Sequence, residues 1–196
     1  MGQLVVQEFV TADGFAADVN NEFTIYEKLE GGTAEFDRSQ LAWLETVDAM
    51  VLGASTYRMF VEYWPTPASA GEIIAPALNG LRRFVFSRTL ERAPWGDLPE
   101  ASIESGDAVE AIRRIKRETE GTIVLWGSLT LGEAFFAAGE VDGVRLVVMP
   151  VAIGAGRGVF PAGQDPTLLG LLSAKTYDAG LVELEYALGS VTAGSP

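Results

Sequence analysis

The stretch Ile123-Val-Leu-Trp-Gly-Ser-Leu-Thr-Leu-Gly-Glu-Ala-Phe-Phe136 decides how this chain folds. Its first residues are all apolar, which is typical of a strand that is buried on both faces. After Gly127 and Ser128 the apolar residues return at helical spacing. The stretch therefore predicts a buried strand, a turn, and a helix whose first N–H groups are open to an anion.

The segment Met50-Val-Leu-Gly-Ala-Ser-Thr-Tyr57 has the same order of features: an apolar run, a glycine, hydroxyl side chains and a helix. Glycine lets a ligand approach the backbone, Ser or Thr adds a hydroxyl, and the helix start supplies N–H groups and positive potential. Two such ends can hold a pyrophosphate between them. The alternative is that Ser55 and Ser128 only cap their helices.

Strands and helices alternate along most of the chain, and two alternating strands around Asp178-Ala-Gly180 end it as a hairpin. This pattern predicts an α/β fold with a mainly parallel central sheet flanked by helices and an antiparallel C-terminal hairpin. Residues 1–188 are predicted to form a single domain, and residues 189–196 a disordered tail. Ligands of such sheets bind beyond the carboxyl ends of the strands.

Composition excludes several classes of function. A formal net charge of −13 argues against nucleic acid or an anionic membrane as a partner. The chain has no cysteine and no histidine, so disulfides, thiolate nucleophiles and Cys-type zinc sites are excluded, and we expect no metal site. No apolar run approaches the length of a membrane span, and the first residues lack the features of a signal peptide. We expect a cytoplasmic protein.

The glycine-rich segment Gly154-Ala-Gly-Arg-Gly158 superficially matches a dinucleotide-binding fingerprint. That motif requires a helix directly after it, whereas Val159-Phe-Pro161 follows here. The segment is better interpreted as a tight loop near the ligand. Arg157 is then available to bind an anion, or it is only solvated.

Five motifs in this order resemble the dihydrofolate reductase-like superfamily. They are similar in particular to the C-terminal reductase domain of bifunctional riboflavin-biosynthesis deaminase/reductases and its stand-alone bacterial relatives. The resemblance extends from about Leu4 to Leu188 and implies a three-layer dihydrofolate reductase-like fold. The motifs are Thr11-Ala-Asp-Gly14, Leu52-Gly-Ala-Ser-Thr-Tyr57 followed by Trp64-Pro65, Val85-Phe-Ser-Arg-Thr-Leu90, Trp126-Gly-Ser-Leu129, and Pro150-Val-Ala-Ile-Gly-Ala-Gly-Arg-Gly-Val-Phe160.

The resemblance implies a nicotinamide dinucleotide, usually NADPH, with NADH also possible. It implies that a pyrophosphate is held at two helix starts, one with Gly53, Ser55 and Thr56 and the other with Gly127, Ser128 and Leu129. It also implies that Ser87 and Arg88, at the end of a strand, hold an adenosine 2′-phosphate. It also places Asp13 and Gly14 beside the nicotinamide and substrate, although Asp-Gly is equally an ordinary turn pair. Asp13 or water would supply a proton. Candidate substrate contacts are Tyr57, Trp64, Arg157 and Phe160, although aromatic side chains at such positions also occur in cores.

Two positions depart from the pattern. The family commonly has an arginine directly after the first helix-motif glycine, where this chain has Ala54, so the choice between NADPH and NADH stays open. True dihydrofolate reductases carry a carboxylate where this chain has Gln40, which disfavours folate reduction. The resemblance thus implies an NAD(P)H-dependent reductase acting on a small planar pterin-, flavin- or pyrimidine-like heterocycle. The alternative is a non-catalytic nucleotide- or pterin-binding protein.

A homodimer is also implied, for which Gly143–Met149 is the candidate edge strand.

Overall fold

The computed structural model describes residues 1–22, 33–163 and 166–189. The helices are α1 (Ala34–Leu44), α2 (Ala54–Val61), α3 (Ala75–Gly80), α4 (Ala108–Arg117) and α5 (Leu129–Ala137). The strands are β1 (Gln3–Thr11), β2 (Phe15–Ala17), β3 (Val47–Gly53), β4 (Arg82–Phe86), β5 (Ser102–Glu104), β6 (Thr122–Trp126), β7 (Gly143–Met149), β8 (Arg157–Gly158), β9 (Leu169–Thr176) and β10 (Val182–Leu188). Residues 190–196, predicted to be disordered, lie outside the described residues.

Eight strands form one sheet in the order β5-β4-β3-β6-β1-β7-β10-β9, among the residues described. The pairs from β5 to β7 are parallel, and β10 and β9 add to the sheet as an antiparallel hairpin. The predicted α/β fold with an antiparallel C-terminal hairpin is therefore confirmed. Strands β2 and β8 form a separate two-stranded antiparallel sheet that the sequence pattern did not reveal, because both are very short.

Helices cover both faces of the large sheet. On one face, Ile112 of α4 and Phe135 of α5 pack against the β1, β3 and β6 residues of one apolar cluster. On the other, Tyr57 of α2 and Leu78 of α3 pack against a second cluster that includes Val124 of β6. Because the central strands are covered on both sides, they show no alternation of apolar and polar residues.

The central strands end at two different levels. Gln7 of β1 pairs with Trp126, the last residue of β6, and β3 ends at the same height at Gly53. Strand β1 continues upward beside β7 until Thr11 pairs with Met149. We call this arrangement the step: its floor is Gly53 and Gly127, and its wall is residues 9–11 of β1.

One expectation about the sheet is wrong. Strand β7 was a candidate edge for dimerisation, but it lies between β1 and β10 and is paired on both sides. The C-terminal hairpin covers it, which places β9 and β5 at the two edges of the large sheet within the described residues. No helix in the described part of the chain is long and apolar enough to cross a bilayer.

Candidate functional site

The starts of α2 and α5 are in direct contact at the floor of the step. A β-carbon placed on Gly53 would lie 2.5 Å from the Ser128 Cβ, and one placed on Gly127 would lie 2.6 Å from the Thr56 Oγ1. The tertiary structure thus brings together the two glycine-and-hydroxyl segments that the sequence singled out. The contact leaves no room between them, so an anion would lie on top of the paired helix starts.

The two helix starts differ in their caps. Ser128 caps α5 by accepting a hydrogen bond from the Leu131 N–H at 3.3 Å. Gly53 is the N-cap of α2 and offers no side chain, while Ser55 is exposed inside the first turn. The idea that Ser55 caps its helix is therefore wrong, and the first N–H groups of α2 have no side-chain acceptor of that kind.

The turn into α5 adopts an uncommon backbone conformation. Gly127 and Ser128 are both left-handed, with φ of 60° and 65°. Glycine adopts this region without penalty, whereas a serine there costs about 1 kcal/mol. Strain of this kind concentrates at ligand sites. The Gly127 N–H, which precedes the N-cap Ser128, points toward β1.

Glu8 of β1 receives that N–H. Its Oε1 accepts from the Gly127 N–H at 3.0 Å, in the corner where the floor of the step meets the wall. Burial raises the pKa of Glu8 to about 8, and the Gly127 hydrogen bond only partly opposes this. Sequence reasoning missed Glu8, although an acidic residue within the mostly apolar segment of residues 4–10 was an available signal.

A buried polar network lies on the opposite face of β1. The Gln7 Oε1 accepts from the Trp126 indole N–H at 2.7 Å, and the Gln7 amide donates to the Gln40 Oε1 at 2.9 Å. Arg145 of β7 also donates to Gln40 and stacks over the Trp43 ring at 4.4 Å. Gln40 therefore ties α1 to the sheet, and it offers no carboxyl group for proton transfer.

Ser87 and Arg88 follow β4, at the carboxyl ends of the parallel strands, where Gly53 also lies. The buried Ser87 Oγ accepts from the N–H groups of Thr89 and Leu90 at 3.2 and 3.1 Å, which closes a turn. Arg88 is exposed. Among the described residues it forms no ion pair, so its guanidinium is available to a phosphate.

Asp13 lies in the turn at the top of the wall, before Gly14 with its φ of 90°. Its carboxylate accepts from the Gly154 N–H at 2.7 Å and from the Ile153 N–H at 3.2 Å. The Thr11 hydroxyl and then the Gly154 amide lower the pKa of Asp13. Asp13 is therefore ionised at neutral pH, and it fastens the loop after β7 to the end of β1.

Arg157 of β8 is engaged with the first turns of α5. Its guanidinium pairs with Glu133 at 2.8 Å and donates to the Thr130 Oγ1 at 3.1 Å and the Asn21 Oδ1 at 3.2 Å. These contacts fasten the small sheet to α5. Phe160, further along the same loop, is 42% exposed and its ring lies 5.4 Å from that of Phe136.

Two predicted substrate contacts lie elsewhere. Tyr57 is 4% exposed, belongs to the core, and donates its hydroxyl to the Pro94 carbonyl at 2.6 Å, so it does not face a cleft. Trp64 follows the far end of α2, where its carbonyl accepts from Asn79, just before β4 begins. This position lies at the amino ends of the parallel strands, whereas the step lies at their carboxyl ends. Neither residue therefore lies at the step, because α2 buries Tyr57 in the core and carries the chain away from the step before Trp64.

Comparison with known proteins places this geometry in a family. The sequence model of the RibD C-terminal domain matches residues 3–182. The chain belongs to the RibD C-terminal domain family. The uncharacterized protein YyaP of Bacillus subtilis (strain 168) is 23% identical over 187 residues, which is 94% of each chain.

Two solved structures share the fold of this RibD C-terminal domain. A pyrimidine reductase-like protein from Corynebacterium diphtheriae matches 96% of this chain and 92% of its own, with a TM-score of 0.65 and 16% identity. Dihydrofolate reductase from Enterococcus faecalis, complexed with NADP(H), matches 96% and 98%, with a TM-score of 0.57 and 12% identity. The dihydrofolate reductase-like fold expected from the motifs is therefore confirmed.

The step of this RibD-type domain suits an anion near neutral pH. The uncapped start of α2 and the exposed Arg88 attract negative charge, whereas Ala54 adds no positive charge. Glu8 would repel an anion if it were ionised, but the raised pKa keeps it mostly neutral at pH 7. The residues present therefore fit a phosphorylated cofactor without a cluster of basic side chains.

Proposed function

We propose that this protein is an NAD(P)H-dependent reductase that reduces a small planar heterocycle of pterin, flavin or pyrimidine type. The observation that supports this most directly is the contact between the starts of α2 and α5 at the floor of the step. Two helix starts that share one surface create a site for a pyrophosphate, which is the common part of both nicotinamide dinucleotides. Membership of the RibD C-terminal domain family supports the same reaction class.

In this proposal the first turn of α2, with Gly53, Ser55 and Thr56, binds one phosphate. The turn of Gly127, Ser128 and Leu129 binds the other. Arg88, next to the Ser87 turn, is the candidate ligand of an adenosine 2′-phosphate, because its planar guanidinium offers two parallel donors. When bound, the dinucleotide supplies the hydride. The protein contributes chiefly by holding two ligands in register.

We assign water as the donor of the proton that accompanies hydride transfer. The lowered pKa of Asp13 leaves it without a proton at neutral pH, and its oxygens are bonded to loop amides. Asp13 is thus better suited to holding the loop beside the substrate than to proton donation. Gly14, Arg157 and Phe160 remain the candidate substrate contacts, since they border the same loop.

A second candidate is a non-catalytic protein that binds a nucleotide or a pterin. The buried Gln40 favours it, because this glutamine is hydrogen-bonded to Gln7 and Arg145. By the sequence resemblance, it also stands where dihydrofolate reductases carry a carboxylate. Oxidation of NAD(P)H in the presence of pterins, flavins and pyrimidines separates the two candidates. Tight nucleotide binding without turnover of any of them would favour the binding protein.

The decisive experiment is a titration with NADPH and NADH, followed by quenching of tryptophan emission, since Trp126 directly precedes Gly127. Both nucleotides are expected to bind. Arg88→Ala should weaken NADPH by on the order of tenfold or more, because a charged hydrogen bond is lost, and should leave NADH little changed. Arg117→Ala is the matched control, since Arg117 is exposed at the far end of α4. Absence of binding by both nucleotides would refute the reductase proposal.

A further inference from the structure

Glu8 borders the step and has no role in the reductase proposed above. It lies on the central strand, in the corner between the Gly127 turn and the wall. A carboxyl group in that place is unexpected in a site meant for phosphate, because two anions would face the same N–H. This inference rests on the proposed function, since it concerns how the dinucleotide enters that site.

We propose that the Glu8 carboxyl and a phosphate of the dinucleotide compete for the Gly127 N–H, so that Glu8 sets the pH range in which the nucleotide binds. The argument begins with the hydrogen bond itself. The Gly127 N–H lies at the start of α5 and already has an acceptor, the Glu8 Oε1, at 3.0 Å. A phosphate on this turn must displace that oxygen or sit against it.

The two protonation states of Glu8 have opposite effects on a phosphate. An ionised Glu8 holds the N–H strongly and repels the incoming charge in a partly buried site of low polarity. A protonated Glu8 releases the N–H at little cost, and its own O–H can donate to a phosphate oxygen. The raised pKa of about 8 places the change between these states just above neutral pH.

The charged groups on neighbouring elements leave Glu8 as the titrating residue. Glu133 of α5 is paired with Arg157 of β8 at 2.8 Å. On α4, Arg113 and Lys116 both face Glu140, at 2.6 and 3.9 Å. The pKa of Glu8 responds to burial and to the Gly127 amide, and no charged side chain is among its causes. Asp13, at the top of the same strand, is ionised throughout the relevant range.

The test measures the Kd of NADH from pH 6.5 to 9.5 by tryptophan quenching. NADH is the probe because, unlike NADPH, it carries no 2′-phosphate that titrates near neutral pH. The wild-type Kd should be constant below pH 7 and should then rise by up to about tenfold per pH unit above pH 8. Glu8→Gln keeps an acceptor for the Gly127 N–H and cannot ionise, so its Kd should be flat. Glu120→Gln, exposed before β6, should follow the wild type.

A second measurement needs no variant. Calorimetric titration with NADH at pH 8.5 in buffers of different ionisation enthalpy should show uptake of about three-quarters of a proton per nucleotide bound, which is the fraction of Glu8 that is ionised half a pH unit above its pKa. Identical pH profiles for the wild type and Glu8→Gln, or binding without proton uptake, would overturn the role of Glu8 and leave the reductase proposal intact. Absence of binding by NADH and by NADPH, to either protein and at every pH, would refute the proposed function itself.

Discussion

Gly53 and Ser128 approach so closely that a β-carbon on Gly53 would lie 2.5 Å from the Ser128 Cβ and 2.7 Å from its Oγ. The two residues belong to different βα units, and they meet because β3 and β6 are neighbours that end at one height. This contact joins the starts of α2 and α5 into a single surface. The nucleotide proposal therefore depends on the absence of a side chain at residue 53.

Gly53→Ala should push the start of α5 away from that of α2. We expect the affinity for NADPH to fall by about tenfold or more, because a displacement of the donors spoils hydrogen-bond geometry. The free energy of unfolding should fall by about 1–3 kcal/mol, as in overpacked cores. Gly71→Ala is the control, since a β-carbon there meets nothing within 4 Å. Fluorescence titration and urea unfolding measure both effects, and equal behaviour of the two variants would contradict the assignment.

Glu8 should make the protein less stable as the pH rises. Its folded pKa lies above the ordinary value of about 4.5, so below that pH both folded and unfolded states are mostly protonated and no stability is lost. Between that pH and about 8 only the unfolded state releases its proton, which lowers the free energy of unfolding by about 1.4 kcal/mol per pH unit. Above pH 8 the loss is complete.

Glu8→Gln removes this titration. Its advantage over the wild type in urea unfolding should be small at pH 4.5 and should grow to a few kcal/mol at pH 8. The difference between the two proteins cancels the contributions of the other acids, including the lowered pKa of Asp13 and the raised pKa of Asp37. A difference that does not change with pH would show that Glu8 is already ionised in the folded protein at neutral pH.

Arg145 and Glu183 form an ion pair that is almost completely buried, at 1% and 0% side-chain exposure. Arg145→Met should lower the free energy of unfolding by about 3–5 kcal/mol, because it leaves the Glu183 carboxylate without its principal partner. Replacing both residues with Met should recover much of the loss, since two apolar side chains need no partner. Urea unfolding of the two single variants and the double variant measures the coupling.

The control for this pair is Arg92→Ala. Arg92 is paired with Glu100 on the surface and should have no measurable effect on unfolding. If Arg145→Met were as harmless as Arg92→Ala, the buried network would not be a determinant of stability. Binding of NADPH provides a further readout, because Arg145 also bonds Gln40 beneath the step.

We expect self-association to use β9 instead of β7. Strand β9 is an edge strand, and Leu171 and Leu172 are 57% and 63% exposed along it. Leu172 is the extra residue of the irregular pairing with β10, between Leu171 and Ser173. An uncovered apolar edge favours pairing with a second copy. Leu172→Glu should shift the sedimentation of a wild-type dimer to that of a monomer.

The control for the edge strand is Leu98→Glu, at a residue that is 42% exposed away from β9. It should leave the association state unchanged. A wild-type protein that sediments as a monomer at all accessible concentrations would remove the expectation of a dimer altogether. Equal loss of the dimer in both variants would point to a surface other than β9.

Much of the fold could be predicted because it rests on local patterns. The buried run that ends at Trp126, the helix of residues 54–61 and the hairpin around Asp178–Gly180 are all found as expected. Each follows from the spacing of apolar residues or from turn-forming residues within a short window. The short strands β2 and β8 were missed because two or three residues carry no period.

The candidate site divides in the same way. The glycines and hydroxyl residues at the starts of α2 and α5 could be named from the sequence, because helix starts have local signatures. The positions of Tyr57 and Trp64 relative to the step could not be predicted, because burial and the direction of a helix depend on what packs against it. The hydrogen bonds of Glu8, Gln7 and Gln40 could not be predicted for the same reason, because they join residues far apart in the chain.

The sequence by itself determined the order of strands and helices, the family resemblance, and the residue types present at each helix start. Only the tertiary structure decided that β3 and β6 end at one height while β1 continues, which creates the step. It also decided that Glu8 meets the Gly127 N–H and that β9, not β7, is an edge. The physical reason is that local periodicity specifies which element forms, whereas the register between strands depends on contacts among distant residues that no short window of sequence contains.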